Sequence, residues 1–164
     1  LREDVHAFVA LLKKYFPEFK NAELLFTAAQ TGVRETRHIK GEHVLTGEEY
    51  LNAVHFEDAV SRGAHPIDLH TAGDQTQKCQ FLKNAAYIPY RSLIVPGFDN
   101  LLVAGRCFSA DQVASASVRV QASVMGLGQA AGCAVAQCAC AGTSVHKADV
   151  PTLQAMLRKW GALI

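Results

Sequence analysis

Between residues 113 and 142 the chain carries one charge, Arg119, in a run of small and apolar side chains. A helix that is neutral all round has to be enclosed, by protein or by lipid. Ahead of it stands a short apolar run, Leu101-Leu102-Val103-Ala104, closed by Gly105, with the length and flank of a buried strand. A polar turn over 106–117 then leads into a predicted helix of about 24 residues. Gly126, Gly128 and Gly132 fall inside it, each costing about 1 kcal/mol against alanine in a helix interior. Close approach by another backbone or by a flat ligand offsets that cost. The leading end of such a helix offers unpaired N–H groups and a partial positive charge, which suit an anion or an electron-rich carbonyl.

Residues 120–141 are free of charge and so formally raise a membrane span. They hold one leucine, no isoleucine or phenylalanine, and glutamines at 121, 129 and 137, which is the composition of a soluble helix. Gly128 and Gly132 then read as a close-packing pair. The net charge of +1 gives no electrostatic reason to expect nucleic acid or an anionic membrane as a partner. The first residues, Leu1 to Asp4, are neither an initiator methionine nor a signal peptide, so the chain is expected to begin inside a longer protein. Five cysteines, at 79, 107, 133, 138 and 140, form no paired framework and stand near no histidine at metal-ligand spacing. Buried free thiols in a reducing, cytoplasmic setting are expected, with no metal.

In chain order, residues 2–16 have the spacing of an amphipathic surface helix, ended by Pro17. Residues 22–30 read as a strand, and 33–39 alternate like one. Alternation would put Arg34 and Thr36 on one face and Glu35 and Arg37 on the other. Thr46 and Glu49 make a capping-box pattern that predicts a short helix from about 47 to 53. Residues 67–70 form a candidate strand, 71–84 a polar loop, and 86–96 two extended pieces broken at Pro89. After a linker over 143–150, Pro151 opens a last amphipathic helix running to Trp160. The fold class is mixed α and β.

Three segments, in order, resemble the FAD-dependent oxidoreductases. The run VAGRCFSADQVASASVRVQASVMGLGQAAGCA is similar to their C-terminal flavin-binding segment: a strand ending in AGR, a small polar loop, S-x-R, and a helix carrying GQAAG. TGVRETRHIKGEHVLTGEEY resembles their G-V-R-E-S/T-R segment, and IPYRSLIVPGFDNLLVAGR the hairpin leading into the flavin strand. The resemblance implies part of a Rossmann-like FAD-binding fold with part of a substrate or cap region. Residues 1–98 would belong to that cap region, 99–142 to the flavin-binding strand and helix, and 143–164 to a closing helix. No strand, glycine-rich turn and helix with a distal acid is present to hold a pyrophosphate; the GxGxxxG at 126–132 lies within the helix. The chain is therefore expected to be the C-terminal portion of a flavoenzyme and to bind FAD weakly or not at all without the N-terminal half.

The resemblance implies cofactor contacts from Gly105, Arg106, Ser117, Val118, Arg119, Val120 and Gln121. Arg106 would face phosphate or ribityl oxygens, or else pair with Asp99 or Asp111. Arg119 would stand beside the flavin and stabilise the reduced ring, or else form a buried ion pair with an acid of another segment. Arg34 and Arg37 are candidates to clamp the carboxylate of a small-molecule substrate, against a plain ion pair with Glu35. Tyr90 and Arg91 sit in the hairpin implied to lie near the cofactor, and His65, His70 and Tyr90 are candidate proton donors. The activity implied is hydride transfer between an organic substrate and FAD. Two other readings remain open: a non-catalytic packing or oligomerisation module with a glycine-rich interface helix, and a thiol redox protein that needs an exposed, low-pKa Cys133 or Cys140. An apolar face left uncovered on the central helix would favour a homo-oligomer.

Overall fold

The computed structural model describes residues 1–69 and 78–164. His70 and the first half of the expected 71–84 loop, residues 71–77, lie outside the described residues. The chain separates into two compact units, Leu1–Val33 and Arg34–Ile164. The expected boundaries at 98/99 and 142/143 both fall inside the second unit.

In the first unit, helix α1 (Arg2–Tyr15) carries Glu3 and Asp4 in its first turn and Lys13 and Lys14 in its last, the charge order its dipole favours. None of its residues is buried, as a surface helix requires. Residues 22–30, expected as a strand, form none, because no described segment supplies a ladder for them.

The second unit bears out the mixed α/β class. Its strands make two antiparallel pairs: β1 (Ala59–Gly63) with β4 (Ala86–Pro89), and β2 (Ile67–Leu69) with β3 (Lys78–Gln80). The β1–β4 register slips between Ala59 and Ser61. The candidate strand at 67–70 is β2, whereas 78–80, expected as loop, is its partner strand. Pro89 ends β4 and a 3-10 turn, Tyr90–Ser92, follows. Residues 33–39 are extended but run in no ladder; one bond, from Ile39 N–H to the Cys107 carbonyl, ties their end to the body.

Helix α2 (Gly47–Leu51) starts at the predicted capping box. The Thr46 hydroxyl accepts from Glu49 N–H, and the Glu49 carboxylate accepts from Thr46 N–H at 2.9 Å. The 106–117 segment is not all turn, because residues from 112 onward are helical: α3 (Gln112–Val118) begins at Asp111. That one carboxylate caps two helices, accepting from Ala114 N–H in α3 and from Gly47 N–H in α2, both at 2.8 Å. The expected single long helix is thus two, α3 and α4 (Gln121–Ala141), separated at Arg119 and Val120. Arg119 caps the C-terminal end of α3 instead of occupying the first turn of a helix. A cation is favoured by the dipole at the first position and opposed at the second.

Helix α4 packs along β1 and against α5 (Val150–Lys159), which Asp149 caps. Leu127, Leu153 and Leu157 are fully buried between them, each worth about 1.5–3 kcal/mol of transfer free energy. At Gly126 the helix comes so near β1 that a Cβ would stand 2.7 Å from Ser61 Oγ. Gly128 and Gly132, expected as the close-packing pair, face open space within this chain, since a Cβ at either would meet nothing within 4 Å. By length and composition α4 is long and apolar enough to cross a membrane. The expected buried strand at 101–104 is a single bridge from Leu102 to Ile94, with Leu101 exposed and the other three half-buried. It lacks a second neighbour to complete a ladder.

Candidate functional site

The junction between α3 and α4 lies between two clefts. Arg119 lines one and the next residue, Val120, lines the other.

The first cleft is polar, about 390 Å³, and lined by Arg34, Glu35, Thr36, Gln112 and Arg119. Three consecutive residues of the 33–39 segment line it together. Arg37, expected to join Arg34 as a substrate clamp, is exposed and outside this lining. Arg119 is held from two sides. Its Nη2 donates to the Asp68 carbonyl at 3.2 Å, and its Nη1 lies 3.9 Å from Glu35 Oε2. Glu35 therefore pairs with Arg119 from a distant part of the chain, not with Arg34 or Arg37. Its other oxygen lies 3.3 Å from His38 Nε2. Arg34 Nη1 stands 3.7 Å from Asp68, and the Arg34 side chain is 61% exposed.

The second cleft, about 480 Å³, has a floor of small residues from β1 and the leading turns of α4, including Ser61, Gly63, Ala122, Ser123 and Gly126. Ala162, Leu163 and Ile164 form part of its rim. Helices α2, α3 and α5 each receive a side-chain cap, whereas the Val120 side chain gives α4 none. Among the described residues, no side chain caps the first N–H groups of α4. A roomy cleft over small residues, with uncapped donors at one end and a cation one residue ahead, fits the ring end of a flavin. No strand, glycine turn and helix suited to its pyrophosphate occurs among the described residues.

The remaining expected site residues are placed differently. Ser117 and Val118 are fully buried core residues. The Ser117 hydroxyl is committed to the His65 carbonyl and stands 3.1 Å from the Tyr50 hydroxyl, so neither cleft receives it. Gln121 is exposed at the first residue of α4. Gly105 adopts a left-handed φ of +95°, which a side chain would strain. Arg106 is exposed beside it, and neither lines either of these two clefts. Asp111, one of its expected partners, is occupied in capping α2 and α3.

Tyr90 is buried, and its hydroxyl donates to the Val145 carbonyl at 2.9 Å. Burial, with Cys138 and Glu42 nearby, pushes its pKa well above the ordinary tyrosine value. It is thus a structural tie, not an available proton donor. Arg91 makes a two-pronged pair with Asp58, at 3.0 and 3.3 Å. That pair fixes the 3-10 turn after β4 and faces neither cleft. His65 does line the second cleft, with its Nδ1 2.7 Å from the Pro66 oxygen. Sequence reading missed Gln112, which lines the polar cleft with Arg119; a helix starting at Asp111 would have put Gln112 at its first turn.

Cys133 and Cys138 are buried and free, while Cys79, Cys107 and Cys140 are exposed, so the expectation of buried thiols holds for two of five. Burial pushes the Cys133 thiol up, away from the thiolate that redox chemistry needs. No cluster of three or more histidine, cysteine or acidic side chains suited to a metal occurs among the described residues.

No curated protein and no solved structure matches the chain. A family model does, described as FAD dependent oxidoreductase, and its match runs over residues 1–157, nearly the whole length. With that match, the chain belongs to the FAD-dependent oxidoreductase family.

Proposed function

We propose that this chain forms the ring-facing part of a flavoenzyme that passes hydride between a small organic substrate and FAD. The observation that carries the reading is the leading end of α4: uncapped, built of small residues, open to a cleft of about 480 Å³, and preceded by Arg119. When bound, the flavin supplies the hydride-accepting or hydride-donating centre. The N–H groups of the first turn of α4 would hold carbonyl oxygens of the ring, and Val120 and Ala122 would line its bed. Arg119, which lines the adjoining polar cleft, would provide a fixed positive charge across the α3–α4 junction from the ring. Arg34, more exposed and on the rim of the polar cleft, would orient a substrate carboxylate.

The pyrophosphate and adenosine would be held by a part of the protein outside these residues, so FAD should bind chain 1–164 weakly. The small net charge and free thiols suit a cytoplasmic protein without a nucleic-acid partner.

The test is anaerobic reduction of the flavin-loaded, full-length protein, followed at its yellow absorption band. Bleaching by a reductant, with recovery on adding an oxidised substrate, supports the reading. A full-length protein that purifies without flavin and takes up none from solution overturns it. A second reading, a packing or oligomerisation surface, is favoured by Gly128 and Gly132, which face open space beside exposed Met125 and Val135. A flavin-free protein that self-associates through this face would establish it.

A further inference from the structure

We propose that Glu35 is a positioning residue: its carboxylate, shared between Arg119 and His38, sets the direction and effective charge of the Arg119 guanidinium in the polar cleft. The inference rests on the reading of Arg119 as the cation beside the flavin. The three side chains come from separate places: Glu35 and His38 from the extended 33–39 segment, Arg119 from the α3–α4 junction. They are sheltered, with side-chain exposures of 24%, 17% and 14% respectively. The two oxygens of Glu35 are divided, Oε1 at 3.3 Å from His38 Nε2 and Oε2 at 3.9 Å from Arg119 Nη1. The other face of the His38 ring is anchored, its Nδ1 3.1 Å from the Phe108 carbonyl. The Phe108 carbonyl and the Glu35 carboxylate thus hold the two nitrogens of one ring.

The distances decide what each contact does. At 3.3 Å the His38 contact is of hydrogen-bond length, whereas 3.9 Å to Arg119 is a charge contact without a close bond. Arg119 is directed by the Asp68 carbonyl at 3.2 Å and by the field of Glu35. A guanidinium has five N–H donors in a rigid fork, and these contacts leave donors over for the cleft. A carboxylate at this range neutralises part of the positive charge, and it does so where side chains are shielded and the interaction is stronger than at an open surface. Losing Glu35 would leave Arg119 more positive and less fixed. Losing Arg119 would leave the whole carboxylate to His38.

The test is a double-mutant cycle on Glu35 and Arg119 read by denaturant unfolding of chain 1–164. Arg119→Gln should cost measurably less in the Glu35→Gln background than in the unaltered protein, because its charge partner is already gone. An Arg119→Gln effect of equal size in both backgrounds overturns the proposal. In the flavin-loaded protein, Glu35→Gln should move the flavin midpoint potential positive, by about 30 mV for each tenfold tighter hold on the two-electron-reduced form. Glu35→Asp, which keeps the charge, should stay near the unaltered protein. An unmoved potential in Glu35→Gln overturns the proposal. A protein that holds no flavin removes the functional reading above, and the Glu35–Arg119 cycle then decides this one by itself.

Discussion

Gly126 and Ser61 meet where α4 crosses β1, and a Cβ on the glycine would stand 2.7 Å from the serine Oγ. Two residues further on, Gly128 has nothing within 4 Å of its Cβ position. The same residue type in the same helix therefore answers to opposite constraints. Gly126→Val should destabilise the chain by about 1–3 kcal/mol, the usual range for forcing extra methylenes into a packed site. Gly128→Ala should stabilise it, by up to about 1 kcal/mol, because only helix propensity is at stake. Thermal unfolding of chain 1–164 checks both, with Tm moving down for the first and up for the second.

Asp111 serves two helix starts with one carboxylate. Asp111→Ala should cost more than an ordinary single cap, at about 1–3 kcal/mol, since a typical cap is worth about 0.5–2. Denaturant unfolding measures the loss. Asn at this position keeps an acceptor oxygen and should recover part of it.

His146 joins three segments. Its Nδ1 lies 2.5 Å from Glu42 Oε1 and its Nε2 3.1 Å from the Phe98 carbonyl, so a ring protonated at both nitrogens satisfies both acceptors. The hydrogen bond to Glu42 raises its pKa above 6.5, against a smaller desolvation effect, with help from Phe98, Glu42 and Asp99. A folded pKa above the unfolded one means that the stabilisation is fully present below pH 6.5 and is lost as pH rises through the folded value. The Tm difference between the unaltered protein and His146→Phe should therefore be largest on the acid side of 6.5 and shrink on the alkaline side. A constant difference would count against the clasp.

The cysteines should divide by burial. Thiol reagents under native conditions should label Cys79, Cys107 and Cys140 quickly and leave Cys133 and Cys138 slow. Mass spectrometry of peptides after brief labelling checks the division. Fast labelling of Cys133 would revive a thiol-based role.

The local signals were legible. Thr46 and Glu49 announced their helix start, Pro17 and Pro151 marked helix ends and beginnings, and the family was readable. What failed was whatever needed a partner elsewhere. The alternating 33–39 run is a strand only if another strand lies beside it, and among the described residues none does. The 101–104 run has the apolar character of a buried strand but meets a single neighbour at Ile94. Tyr90 and Arg91 read as site residues from their place in a hairpin, yet each was already taken, by Val145 and Asp58.

The amino-acid order by itself determined that the only charge in a neutral run of thirty residues had to be answered, since an unpaired guanidinium among apolar groups is costly wherever the chain puts it. Folding alone decided which groups would answer it. The Asp68 carbonyl and Glu35 stand 51 and 84 positions away along the chain, and such pairings are fixed by how α3, β2 and the extended segment pack, a relation between distant residues that no local pattern encodes.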